Sequence, residues 1–129
     1  IFITYNDDQA AEIAAIDPGF MMTASAYGDR DVAKLEARGV DPARLIGWTG
    51  VDEPKPYAWA RLMKVGVEPA FGTLGRPGER LDDIYLADGD ASEYDALADQ
   101  GLVLLATDAP YRVAGLIRAD DIGREACGL

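Results

Sequence analysis

The sequence contains no histidine. Histidine is the usual general acid or base near neutral pH. Its absence excludes Ser-His-Asp and Cys-His nucleophile sites and zinc held by imidazole. Chemistry done by this chain alone must rest on carboxylates, lysine, tyrosine or a metal held by oxygens. Cysteine is nearly absent too: Cys127 stands alone near the C-terminus. No intrachain disulfide can form, and nothing in its polar surroundings activates the thiol. Disulfide usage therefore leaves both periplasm and cytoplasm open. Basic residues are scarce, 12 against 23 acidic ones, for a net charge of -11. A chain this acidic repels phosphate backbones and anionic headgroups, so nucleic acid and basic-patch membrane adhesion are not expected. No apolar run approaches the roughly 20 residues that span a bilayer. No signal-peptide pattern is visible, and the chain opens on Ile1 rather than Met.

What is present is a rhythm. The 129 residues fit one ordinary domain with a sizeable core. IFITY (1–5) reads as a buried strand, Asn6 and Asp7 follow as good N-cap residues, and a helix over Gln9–Ile16 is stopped by Asp17-Pro18-Gly19. FMMTASA (20–26) is a second strand. A helix over Asp31–Arg38 follows, with Gly39 as its C-cap. RLIGWT (44–49) is a third strand, and Tyr57–Val65 is a helix ended by Gly66. VEPAFGTL (67–74) is a fourth strand. The polar stretch from Gly75 to about Ala91 is longer than a usual connection and reads as a functional loop. Ser92 caps a helix through Ala98, which Gly101 ends. LVLLATD (102–108) is the last strand, and Asp108 caps a final helix over Tyr111–Ile117. The tail after Arg118 is polar and reads as frayed. Continuous apolar strands alternating with helices predict a parallel sheet covered on both faces or closed inward. Right-handed crossovers leave a doubly wound sheet or a barrel. No glycine-rich phosphate loop follows any strand.

Three strand ends, in order, resemble the glycerophosphodiester phosphodiesterase family. GLVLLATDAP (101–110) is similar to its closing strand, with Thr107 and Asp108 on the Thr-Asp pair. IFITYND (1–7) resembles its Ser-Phe-Asp strand, with Thr4, Tyr5 and Asn6 on those positions. KVGVEPAFGTLG (64–75) resembles its Trp-Thr-Val-Asn strand. There Gly72, Thr73, Leu74 and Gly75 occupy the four positions and only the threonine matches, so Phe71 next door is the expected substitute aromatic. FGTLGRPGERLDD (71–83) and YLADGD (85–90) look similar to bacterial members. The resemblance implies that residues 1–129 form the C-terminal part of a TIM (β/α)8 barrel, strands four to eight, with strands one to three absent. It implies hydrolysis of a small-molecule glycerophosphodiester to glycerol 3-phosphate and an alcohol by the intact family, in lipid metabolism, with a Ca²⁺ or Mg²⁺ ion. The family's paired histidines, metal carboxylates and Glu-x-Lys strand belong to the first three strands and have no counterpart here. No catalytic residue, cofactor or metal ligand is therefore expected within this chain.

Function in a barrel gathers at the C-terminal strand ends. These are Tyr5, Asn6, Ser25, Tyr27, Trp48, Thr49, Thr73, Thr107 and Asp108. Tyr5, Trp48, Phe71, Thr73 and Thr107 are the expected substrate-binding residues. Against that stands ordinary barrel packing for Tyr5 and Trp48, and helix capping for Asp108 and its neighbour. Arg76 and Arg80 lie in a loop suited to a phosphate, although pairing with nearby acids is the plainer expectation. Asp82, Asp83, Asp88, Asp90 and Glu93 have a passing likeness to a calcium loop without EF-hand spacing, and read as solvated charge. Two other readings compete. One is a non-catalytic structural or binding module, whose open sheet edges invite self-association or docking onto an N-terminal piece. The other is a complete small doubly wound domain, which needs a glycine-rich turn where YNDD stands.

Overall fold

The computed structural model describes residues 1–117; Cys127 and the tail after Arg118 lie outside them. Five parallel strands alternate with helices and lie side by side in chain order. They are β1 Phe2–Ile3, β2 Met22–Ser25, β3 Leu45–Trp48, β4 Glu68–Gly72 and β5 Leu104–Ala106. The helices are α1 Asp7–Ile16, α2 Asp29–Glu36, α3 Pro56–Lys64, α4 Leu81–Tyr85, α5 Ser92–Asp99 and α6 Pro110–Ala114. A 3₁₀ turn, Pro42–Arg44, leads into β3. The sheet curls into half of a (β/α)8 barrel.

Local chemistry sets the helix ends. Asn6 accepts from the Gln9 amide at 2.9 Å, and the Gln9 side-chain oxygen accepts from the Tyr5 amide at 2.8 Å. Two amide groups at the start of α1 are thereby satisfied. Gly39 (φ 94°) and Gly66 (φ 78°) take the left-handed turn that ends α2 and α3. The next amide, Val40 or Val67, then bonds back to Leu35 or Leu62. Both valines are buried, so each turn also seeds the following strand with an apolar anchor. The same turn recurs at Gly101–Leu102.

The core lies between sheet and helices. One cluster joins Ala10 and Ala14 of α1, Met22 and Ala24 of β2, and Leu35 and Leu62. The other joins Trp59, Phe71, Leu86, Tyr94, Leu97 and Val113. Gly47 of β3 lets Leu62 approach: a Cβ there would stand 2.7 Å from the leucine side chain.

Four expectations from the sequence change. The first strand is not buried: Phe2 is 43% and Ile3 69% exposed. Among the described residues β1 is an edge strand of the sheet. The stretch from Gly75 to Ala91 is not all loop, because α4 folds within it and Leu81, Tyr85 and Leu86 pack into the second cluster. Ser92 does not cap α5 but begins it; Asp90 takes its amide at 2.9 Å instead. Asp108 does not cap the final helix, which covers Pro110–Ala114 after Ala109. Its carboxylate turns toward Gly75 and Arg80.

Candidate functional site

β-strand alternation sorts side chains between the helix side and the barrel side. Ser25, Trp48 and Ala70 are neighbours in the ladder and share the barrel side. Ser25 and Trp48, with Ile3, Tyr5, Thr23, Leu74 and Ala106, frame a cleft of about 340 Å³ at the C-terminal ends of the strands. Its wall is mostly apolar, with the Thr23 and Ser25 hydroxyls at one side. Tyr5 stands at the rim, 82% exposed, and Trp48 is half-buried. Val51 and the Trp48 ring together crowd Gly72, where a Cβ would lie 2.8 Å from the valine and 2.9 Å from the indole.

The other expected substrate residues go elsewhere. Phe71 points to the helix side, fully buried against Trp59 at 5.9 Å between ring centres. A strand sends consecutive side chains to opposite faces, so Phe71 cannot substitute for residue 72. Thr73 is fully buried, with its hydroxyl 3.4 Å from the Ala106 carbonyl. Thr49 is buried under Trp59, whose indole N–H donates to its hydroxyl at 2.9 Å. Tyr27 faces a separate polar hollow with Asp29, Arg30, Asp31 and Arg61.

Beside the cleft lies a buried carboxylate. Asp82 of α4 is 1% exposed. It accepts from the Tyr94 hydroxyl at 2.7 Å, the Thr107 hydroxyl at 2.8 Å and the Asp108 amide at 2.8 Å. Its own amide donates to the Thr73 carbonyl at 3.0 Å. α4 is thus pinned across the ends of β4 and β5. Burial pushes the Asp82 carboxyl up, but hydrogen bonds from Thr73, Tyr94, the Asp108 amide and Thr107 outweigh it and hold the group below the usual carboxylate value. Burial, then the hydrogen bond to Asp82, raises the Tyr94 phenol, so it stays a proton donor.

The two loop arginines differ. Arg80 reaches Asp108 at 3.0 Å and Asp83 at 3.1 Å, though its Nε–H is not aimed at the latter oxygen. Asp108 also takes the Gly75 amide at 3.1 Å. Arg76 is largely exposed and pairs only loosely with Glu79, at 3.8 Å. Both arginines border a hollow with Asp52, Gly75 and Glu79. Among the described residues no three His, Cys, Asp or Glu side chains converge as metal ligands. Asp82 is spent on internal bonds, and Asp88 and Asp90 bond to backbone within their own loop.

Thr23 and Ile3 were not expected at the cleft, and Asp82, expected as solvated charge, is buried instead. Thr23 and Ser25 had a signal, since M-T-A-S places two hydroxyls at the period of a strand. Asp82 had none: its partners lie 12 and 25 residues away.

The fold defines the class: a partial (β/α) barrel with a cleft at its C-terminal strand ends. Among solved structures, it is similar to a glycerophosphoryl diester phosphodiesterase from Parabacteroides distasonis ATCC 8503, with a TM-score of 0.64 at 20% identity. The match covers 88% of this chain and 39% of that one, so the chain spans well under half the length of the structure it resembles. At this identity the likeness is one of fold. The chain matches no protein-family model and no curated protein sequence.

Proposed function

We propose that this chain is the C-terminal portion, strands four to eight, of a barrel that hydrolyses phosphodiesters of the glycerophosphodiester type. Within it, the chain forms the pocket wall against the alcohol part of the substrate. The observation that carries the reading is the mostly apolar cleft at the strand ends, lined by Tyr5 and Trp48. Tyr5 and Trp48 offer flat apolar faces to the alcohol, and Thr23 and Ser25 offer hydroxyls to its oxygens. Of the two arginines, Arg76 is the one free to meet a phosphate, because Arg80 is already held by two carboxylates. The donor set here does not fit the Ca²⁺ or Mg²⁺ that the family resemblance implies, so no step through a cation is assigned to these residues. Thr107 acts indirectly, by fixing the β5 end through Asp82.

A calorimetric titration with glycerophosphocholine tests this reading. The lone chain is expected to bind it weakly, with Kd on the order of millimolar. Trp48→Ala should weaken binding about tenfold, the loss of one aromatic wall at roughly 1–1.5 kcal/mol. Affinity left unchanged by Trp48→Ala would remove the cleft from the account.

A further inference from the structure

We infer that Gly72 determines the specificity of the strand-end cleft: by keeping it wide, it admits an alcohol ending in a methylated ammonium over one ending in a bare ammonium. The inference rests on the pocket reading above. Gly72 lies within β4, and its φ is outside the left-handed region, so no turn requires a glycine there. A glycine inside a strand weakens it and often marks a close approach by other groups. Three side chains make that approach. A Cβ at position 72 would stand 2.8 Å from Val51, 2.9 Å from Trp48 and 3.3 Å from Leu74. Trp48 and Leu74 both line the cleft, and so does Ala106, the ladder partner of Gly72. The far end of the indole therefore rests against bare backbone. With the sheet behind it, a ring pushed off by a side chain at 72 moves into the cleft and narrows it.

Charge and lining chemistry choose the ligand class. A net charge of -11 favours a cation over an anion. Among the described residues, however, no Asp, Glu, Lys or Arg lines the cleft. A bare ammonium is strongly hydrated, and entering such a cleft costs it water with no carboxylate in exchange. A trimethylammonium carries its charge under three methyl groups and is received by aromatic faces instead. Tyr5 and Trp48 supply two such faces. The cleft, at about 340 Å³, is near the lower end for ligand sites, which run from about 300 to 1,000 Å³. A displaced indole therefore removes space that the three methyl groups need.

The probes are glycerophosphocholine and glycerophosphoethanolamine, which differ only by the three methyl groups, titrated into the full 129-residue chain. The parent should hold the methylated compound at least about tenfold more tightly. Gly72→Ala should bring that ratio to about twofold or less, mainly by weakening the methylated compound. Val51→Ala combined with Gly72→Ala removes the valine contact and leaves the indole displaced. This double variant should regain part of the melting temperature that Gly72→Ala loses, with the ratio still low. It also carries the titrations where Gly72→Ala alone does not fold. A parent that holds the two compounds equally overturns the inference. So does a Gly72→Ala chain with the parent's ratio, or a ratio restored by Val51→Ala. Trp48→Ala separates this from the pocket reading. Unchanged glycerophosphocholine affinity in Trp48→Ala removes the pocket itself, whereas weakened affinity there with the parent's ratio in Gly72→Ala removes only the role of Gly72.

Discussion

Asp82→Ala is expected to lower the unfolding free energy by about 3–5 kcal/mol, measured by urea denaturation near neutral pH. The substitution strands the Tyr94 hydroxyl and the Asp108 amide and frees Thr107. Each buried donor left without an acceptor costs about 1–3 kcal/mol. Thr73 keeps a long bond to Ala106 and is partly spared. Because domains are stable by only about 5–15 kcal/mol, the variant should lie close to its unfolding threshold. Asp82→Asn retains one acceptor oxygen and should lose less. The pH dependence has a definite sign. The folded value of Asp82 lies below its unfolded 3.8. Its contribution is therefore complete well above 3.8 and is lost as pH falls through the lower folded value. The gap between parent and Asp82→Asn should be full at about pH 7 and shrink at about pH 2.5. A gap that widened in acid would mean that Asp82 is neutral in the folded chain.

Trp59→Ala should cost about 3–5 kcal/mol by the same measurement, as large aromatic truncations in a core do. Trp59 is fully buried, lies against Phe71 and donates to Thr49. It ties α3 to β4 and so fixes the strand that carries Gly72. Trp59→Phe keeps most of the apolar surface and loses the indole bond. The Thr49 hydroxyl still donates to the Ala70 carbonyl at 2.8 Å, so no donor is left orphaned. That variant should lose only about 1–2 kcal/mol. Equal losses for the two variants would show that the indole bond, not the packing, holds α3 in place.

The parallel alternation was legible because its signals are local. Asn6, Gly66 and Gly101 mark helix ends through backbone rules that act within a few residues and stand where the sequence placed them, whereas Gly39, expected as a C-cap, turns the chain two residues past the α2 cap at Ala37. The exposure of β1 was not legible. An apolar strand reads the same whether its face is covered or open, and only the strand order shows Ile3 at an edge. Tyr5 and Trp48 line the cleft because strand ends collect there in any such barrel. Phe71 went astray by one residue, enough in a strand to turn a side chain to the other face. Asp82 lay in an acidic run that looked solvated, and Asp108 looked like a helix cap. Their shared network joins α4, α5 and the end of β5, and no local pattern encodes such a meeting.

The reading proposed above gives this half of a barrel the pocket wall and leaves the chemistry to strands one to three. Turnover of bis-(p-nitrophenyl) phosphate by the purified chain, with Ca²⁺ or Mg²⁺ added, tests it most directly. The account predicts no hydrolysis above the metal-only blank, because no histidine is present and no cluster of metal ligands converges among the described residues. Metal-dependent hydrolysis that follows the chain through purification would contradict it.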